Sequence, residues 1–224
     1  MEFASNIHLV PDIIANPYLI MEGSDITLID TGLPGSHPKI LKYLEERGFS
    51  ATNLKRIILT HSDMDHVGGL AALKRASGAR TFASSIEATA IAQGRPSRRI
   101  RPTQLRRRLF MALIRRFYRA APIKVDEILS EGQVLDVLGG LHVLETPGHT
   151  PGHISLFAPA VGVLFVGDSI ISRDGSLIGS VPANTWDQTK AAESVRKQAA
   201  LGARVICSGH GPVVKDAAGK MPVD

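Results

Sequence analysis

The chain has 224 residues, of which 44% are hydrophobic and 21% charged, a composition typical of a globular domain and not of a disordered or fibrous protein. No apolar stretch has the length of a bilayer-spanning helix, and residues 1–10 lack the basic start and apolar centre of a secretory signal. The formal net charge is +5, and the single cysteine excludes an internal disulfide. We therefore expect one cytoplasmic domain that covers residues 1–224.

Strand and helix patterns alternate along the chain. Short apolar or alternating runs predict strands at 7–10, 18–21, 26–30, 56–60, 79–83, 133–137, 141–145, 154–158, 162–166 and 204–207. Amphipathic patterns predict helices at 37–47, 69–76, 84–92, 103–119 and 187–201. This alternation alone predicts a mixed α/β domain.

The most informative segment directly follows the predicted strand 56–60. It reads His61-Ser62-Asp63-Met64-Asp65-His66 and continues into Gly68-Gly69. Imidazole and carboxylate groups are ligands of zinc, iron and manganese, and alternate residues of an extended loop point the same way. We expect an extended loop that presents several side chains to a metal.

Three further candidates follow strand patterns downstream. His149 lies in the turn-rich run Thr146-Pro147-Gly148-His149-Thr150-Pro151-Gly152-His153, and Asp168 and His210 each follow an apolar strand. A glycine precedes each of the three, where the backbone must turn sharply. Together the candidates predict a dinuclear metal site formed by His61, Asp63, Asp65, His66, His149, Asp168 and His210.

In order, spacing and strand context these residues resemble the metallo-β-lactamase fold superfamily. Its motif is His-x-His-x-Asp-His, followed by a His, an Asp and a final His at strand ends, and Asp30-Thr31-Gly32 is a further similarity. The resemblance implies an α/β four-layer αβ/βα sandwich, the metallo-β-lactamase fold. It also implies two divalent metal ions, with zinc favoured and iron or manganese as alternatives.

The resemblance assigns the candidates to two ions. Carried over by position, the first ion is held by His61, Asp63 and His149, the second by Asp65, His66 and His210, and Asp168 bridges them. A hydroxide between the ions would be the nucleophile, since two cations lower the pKa of a shared water and polarise the substrate. Asp65 and Asp168 are the catalytic candidates.

Asp63 departs from the family motif, which has His at this position. A third carboxylate lowers the charge of the site, which raises the pKa of the bridging water and shifts the preference from zinc toward iron or manganese. The flavodiiron branch of the family has Glu there and binds iron. From the sequence we expect Asp63→His to keep the site and to increase its zinc affinity.

Two more residues are expected to support the ligands. Asp30 should accept a hydrogen bond from a ligating imidazole or a loop amide, with capping of a turn as the alternative. His153 should orient its loop through a hydrogen bond, because the two metal shells are complete without it. Trp186 and Asn184 are weaker candidates for the wall of the substrate groove.

An arginine-rich segment predicts a helical insertion at 94–122. Ten arginines lie between Arg95 and Arg119, and no acidic residue occurs from Ala88 to Val125. The simplest interpretation is a helix packed on the core with its arginines in solvent. The second is a lid or homodimer contact through 95–119 beside the active site, and the third is attachment to a membrane surface or nucleic acid. Family insertions at this place border the active site, which favours the second over the third and disfavours nucleic acid.

The function expected from this site is hydrolysis of a small-molecule substrate: an ester, a lactone or a related acyl compound. A small phosphoester hydrolase, acting on a phosphodiester or phosphotriester, is one alternative, and a non-catalytic metal-binding module is another. Glyoxalase II-type thioester hydrolysis is expected less, because residues 211–224 leave no room for the C-terminal helical domain of that subgroup. The fold alone assigns no substrate.

Overall fold

A computed structural model of the chain describes residues 1–4, 6–98 and 120–223. The predicted helix 103–119 and most of the 94–122 insertion lie outside the described residues, so the lid and homodimer interpretations stay predictions. Among the described residues, no helix has both the length and the apolar character needed to cross a bilayer.

The strands of the described residues form two large sheets and a hairpin. The first sheet has the order β1-β2-β3-β4-β5-β6-β7: Glu2–Ala4, Ile7–Leu9, Tyr18–Glu22, Asp25–Ile29, Leu54–Ile58, Arg80–Ser84 and Glu127–Leu129. The second has the order β15-β14-β11-β10-β9-β8: Val214–Lys215, Val205–Ser208, Val163–Gly167, Ile154–Ala158, Leu141–Glu145 and Val134–Leu135. Strands β12 (Ile170–Arg173) and β13 (Ser176–Gly179) form the hairpin.

The helices of the described residues cover the outer faces of the sheets. They are α1 His37–Glu45, α2 Met64–Val67, α3 Leu70–Ser77, α4 Ser85–Ala92 and α5 Gln188–Ala199. One apolar cluster joins α1, α3 and α4 to the first sheet, a second fills the space between the sheets, and a third joins α5 to the second sheet. This is the four-layer αβ/βα sandwich that the resemblance implied.

The parallel strands explain where the loops of the site meet. β4, β5, β6 and β7 are parallel neighbours in the first sheet, and β11 and β14 are parallel in the second. Loops that follow neighbouring parallel strands leave the sheet at the same edge, so the segments after β5, β11 and β14 can come together. The segment after β9 completes this edge.

Most predicted elements occur within two residues of their expected bounds, and the differences are local. The strand predicted at 133–137 is reduced to Val134–Leu135, and five short strands were missed: β1, β7, β12, β13 and β15. Asp174-Gly175 forms the β12–β13 turn, with positive φ at both residues. Asp-Gly is a sequence signal for a β-hairpin, but the predicted strands did not include this hairpin. The extended loop expected at 61–66 is wrong in its second half, because residues 64–67 form the helical turn α2.

Candidate metal centre

The seven predicted ligands converge at one edge of the two sheets. His61 and Asp63 lie between β5 and α2, Asp65 and His66 lie in α2, and the other three follow strands of the second sheet. Their donor atoms form three groups, each within 4.8 Å: His61, Asp63 and His149; Asp65, His66 and His210; His61, His66 and Asp168. The first two groups match the two ligand sets implied by the resemblance.

Asp168 lies between the two ligand sets. Its Oδ1 is 3.3 Å from Nε2 of His66, and its Oδ2 is 3.5 Å from Nε2 of His149 and 3.4 Å from Nε2 of His210. One carboxylate therefore faces imidazoles of both sets.

Several polar atoms at the centre of this cluster have no hydrogen-bond partner among the described residues. Within the described residues, Nε2 of His61, Nε2 of His66 and Oδ1 of Asp168 are buried and accept or donate no hydrogen bond. Buried polar atoms in folded proteins are nearly always paired, and imidazole nitrogens together with carboxylates are ligands for divalent metals. The residues present therefore fit divalent metal.

The Nδ1 atom of each buried candidate ligand, on the other side of the ring from Nε2, contacts a neighbouring side chain. Nδ1 of His61 lies 3.0 Å from Oγ1 of Thr60, and Nδ1 of His149 lies 2.9 Å from Oγ of Ser180. Nδ1 of His66 lies 2.8 Å from Oδ2 of Asp30. A bond of this kind selects the ring tautomer in which Nε2 keeps its lone pair free for a metal.

Asp30 and His153 make the contacts expected of them. Besides meeting His66, Asp30 accepts hydrogen bonds from the backbone N–H of Thr60 at 2.9 Å and from its hydroxyl at 2.7 Å. Nε2 of His153 accepts the backbone N–H of Asp168 at 3.1 Å. His153 thus orients the residue between the two ligand sets without joining either.

The carboxylates and imidazoles of this cluster shift one another's pKa values. Burial lowers the pKa of His210, but its hydrogen bonds to Asp168 and Asp65 outweigh burial and raise this pKa to about 9. Burial also lowers the pKa of His66, yet the carboxylates of Asp168 and Asp30 raise it well above its usual value. Burial raises the pKa of Asp168, but the imidazoles of His66 and His210 hold it well below its usual range.

Sequence reasoning missed Glu87, a fully buried carboxylate behind the site. It accepts hydrogen bonds from the backbone N–H of Ser62 at 2.9 Å, the hydroxyl of Thr150 at 2.7 Å and the N–H of Gly152 at 3.0 Å. One side chain thus ties the His61 loop to the His149 loop. Ser84 and Glu87 have the spacing of a helix capping box, so the sequence pattern offered a purely local explanation.

Sequence reasoning also missed Arg98, which is buried against Asp63. Its Nη1 donates to Oδ1 of Asp63 at 2.8 Å and its Nη2 to Oδ2 at 2.6 Å. The ten arginines of the segment look alike in sequence, so no pattern singled this one out.

Residues 10–210 match the sequence profile of the metallo-beta-lactamase superfamily. The chain belongs to this superfamily. The metallo-β-lactamase fold and the His/Asp cluster at its sheet edge agree with this membership, and the protein is a metallo-hydrolase.

Similar proteins carry hydrolase names. The probable metallo-hydrolase YflN of Bacillus subtilis is 31% identical over 94% of this chain and 85% of its own length. A hydroxyacylglutathione hydrolase of Cereibacter sphaeroides is 32% identical over 76% of this chain, which spans about half (52%) of that relative. A metallo-beta-lactamase family protein of Thermus thermophilus has 26% identity and a TM-score of 0.75 over 96% of this chain and 77% of its own.

Proposed function

We propose that this metallo-hydrolase holds two divalent metal ions and hydrolyses a small ester, a lactone or a related acyl substrate. Zinc is favoured, with iron or manganese as alternatives. The observation that carries the proposal is the convergence of two donor groups around the carboxylate of Asp168, with buried imidazole nitrogens that have no hydrogen-bond partner among the described residues.

The three donor groups support the ligand assignment that we propose. We assign His61, Asp63 and His149 to one ion, Asp65, His66 and His210 to the other, and Asp168 to both. When bound, the two ions supply Lewis acidity toward the acyl oxygen and lower the pKa of a water held at the site.

The protein's own carboxylates have different exposures, which supports different roles. The Asp168 side chain is 11% exposed and is surrounded by imidazoles of both sets, so it fixes the spacing of the centre. The Asp65 side chain is 29% exposed and its Oδ2 lies 3.3 Å from Nε2 of His210. Asp65 can therefore meet the substrate side of the site, where a carboxylate orients water or takes up a proton.

Two observations favour an acyl substrate. A relative named hydroxyacylglutathione hydrolase is 32% identical to this chain over 174 matched residues, so thioesters belong among the candidates despite the expectation from chain length. The Trp186 side chain is 45% exposed, and its backbone N–H donates to Gly148 and His149 beside the first donor group. An exposed indole at the rim of the site suits an apolar acyl or leaving group.

The test combines metal analysis with a substrate panel. We expect purified protein to contain two metal ions per chain and to turn over chromogenic esters, lactones or thioesters faster than phosphodiesters and phosphotriesters. Asp168→Asn should lose metal and activity, whereas Asp174→Asn, in the exposed β12–β13 turn, should retain both.

Other outcomes point to the alternatives. Preferential turnover of phosphate esters would favour phosphoester hydrolysis through the same pair of ions. Tightly held metal without turnover of any substrate would favour a binding module. Protein that takes up no divalent metal after reconstitution would overturn the proposal.

A further inference from the structure

We propose that Arg98 is a positioning residue of the metal centre. Its guanidinium holds the carboxylate of Asp63 at the first ion, and the two side chains together replace the histidine of the family motif. This inference rests on the proposed metal centre and adds a residue from the arginine-rich segment to it.

The side chain of Asp63 is committed to this contact. Asp63 occupies the N-cap position of α2, where an aspartate usually accepts a hydrogen bond from the helix, yet it makes no capping bond. Both of its oxygens are instead paired with Arg98, at 2.8 and 2.6 Å. A two-point contact between a planar guanidinium and a carboxylate fixes the plane as well as the position of the carboxylate.

The orientation imposed by Arg98 leaves one oxygen directed at the first donor group. Oδ2 of Asp63 lies 3.3 Å from Nε2 of His149 and 3.6 Å from Nε2 of His61. The guanidinium therefore occupies one side of the carboxylate, while Oδ2 keeps a lone pair for an ion between the imidazoles. Aspartate is shorter than histidine, so a fixed orientation matters more for its reach.

The pair also restores the charge balance of the site. The sequence alone suggested that Asp63 makes the centre less positive than the common motif does. The Arg98 side chain is 4% exposed, and a buried guanidinium keeps its charge, so Asp63 and Arg98 are together neutral, as an imidazole ligand is. The expectation that Asp63→His alone increases zinc affinity must therefore be revised, because it leaves a buried cation without its partner beside the ion.

The residue before Arg98 is anchored to the loop that contains Asp63. The N–H of Ser97 donates to Oγ of Ser62 at 2.9 Å, and the Ser97 hydroxyl donates to Oε1 of Glu87 at 2.8 Å. The start of the arginine-rich segment is thus attached to Ser62, the residue before Asp63, both directly and through Glu87. Arg98 consequently faces the metal centre, unlike the exposed Arg95.

A double-mutant cycle tests the inference on full-length protein. The variants are Arg98→Met, Asp63→His and the combination of the two, with Arg95→Met as the matched control in the same segment. For each variant, the zinc affinity of both sites is measured by chelator competition, the absorption spectrum of the Co²⁺-loaded protein is recorded, and the melting temperature is determined without metal.

We expect Arg98→Met to weaken one of the two zinc sites about 10–100-fold and to change the Co²⁺ spectrum, while the other site and the Arg95→Met control are unaffected. Asp63→His alone should also weaken that site, and the double variant should regain its affinity. If Arg98 only supported the fold, Arg98→Met would lower the melting temperature. Its effect on zinc affinity would then be the same with and without Asp63→His. Arg98→Lys, which keeps the charge but loses the two-point contact, should give an intermediate affinity and replaces Arg98→Met if that variant does not fold.

The inference is overturned if Arg98→Met, or Arg98→Lys in its place, binds both zinc ions as the wild type does. It is equally overturned if Asp63→His alone binds as tightly as the double variant. Either result leaves the proposed hydrolase intact, whereas wild-type protein without metal would remove both proposals.

Discussion

Oδ2 of Asp30 lies 2.8 Å from Nδ1 of His66, on the side of the ring opposite the proposed second ion. Asp30 is buried at the end of β4, with φ of 58°, and its other hydrogen bonds hold Thr60 at the end of β5. The carboxylate of Asp30 therefore links the ends of two neighbouring parallel strands, β4 and β5, to the helix α2, which contains His66.

Asp30→Asn should weaken binding of the second metal about 10–100-fold. An asparagine tolerates the positive φ, but its NH₂ group would face the hydroxyl of Thr60 and Nδ1 of His66, which both donate to Oδ2 in the wild type. Chelator competition measures the loss. Asp25→Asn, at the exposed start of the same strand, should bind metal normally, and equal affinities for the two variants would contradict the orienting role of Asp30.

Glu87→Gln should lower the free energy of unfolding by about 1–3 kcal/mol, because the amide cannot accept all the hydrogen bonds that end on the buried carboxylate. The donors come from Ser62, Ser97, Thr150 and Gly152. Denaturant unfolding measures the change. Glu45→Gln on the exposed side of α1 provides the control, and a similar small effect for both would show that the Glu87 contacts contribute little.

Gly209→Ala should displace Asp168 and lower metal content and activity at least tenfold. A Cβ at residue 209 would lie 2.3 Å from Oδ1 of Asp168 and 2.7 Å from Cε1 of His66, closer than folded proteins allow. Gly179→Ala meets no heavy atom within 4 Å and serves as the matched control. Retention of both metal ions in Gly209→Ala would mean that the carboxylate can move without loss of the site.

Metal affinity should increase with pH between about 7 and 9. With a pKa of about 9, His210 carries a proton in the metal-free protein at neutral pH, and a metal binds only the neutral imidazole. Metal binding must therefore release this proton below pH 9. Above pH 9 fewer protons are released, because His210 is already neutral in a growing fraction of the molecules. Calorimetry in buffers of different ionisation enthalpy counts the released protons, and His210→Asn should release about one fewer at pH 7. Equal proton release by both proteins would contradict the assignment of His210.

Much of the site could be predicted because its signals are local or carry specific chemistry. Histidine and aspartate at short spacing after apolar strands are rare enough to identify donor groups, and strand periodicity places each one at a sheet edge. Asp30 and His153 were likewise found from their positions in the motifs. The helix α2 was not predicted, because a single helical turn has too few residues to show the hydrophobic period of a helix.

The amino-acid sequence by itself determined most of the strand pattern, the superfamily and the set of candidate donor residues, since each depends on residue type and on spacing along the chain. Only the tertiary structure decided which polar side chains serve those donors. Arg98 lies 35 residues from Asp63, and Glu87 lies 63 residues from Thr150. Burial turns such distant pairs into strong contacts because water no longer competes for their charges, and only packing shows which of many arginines is buried.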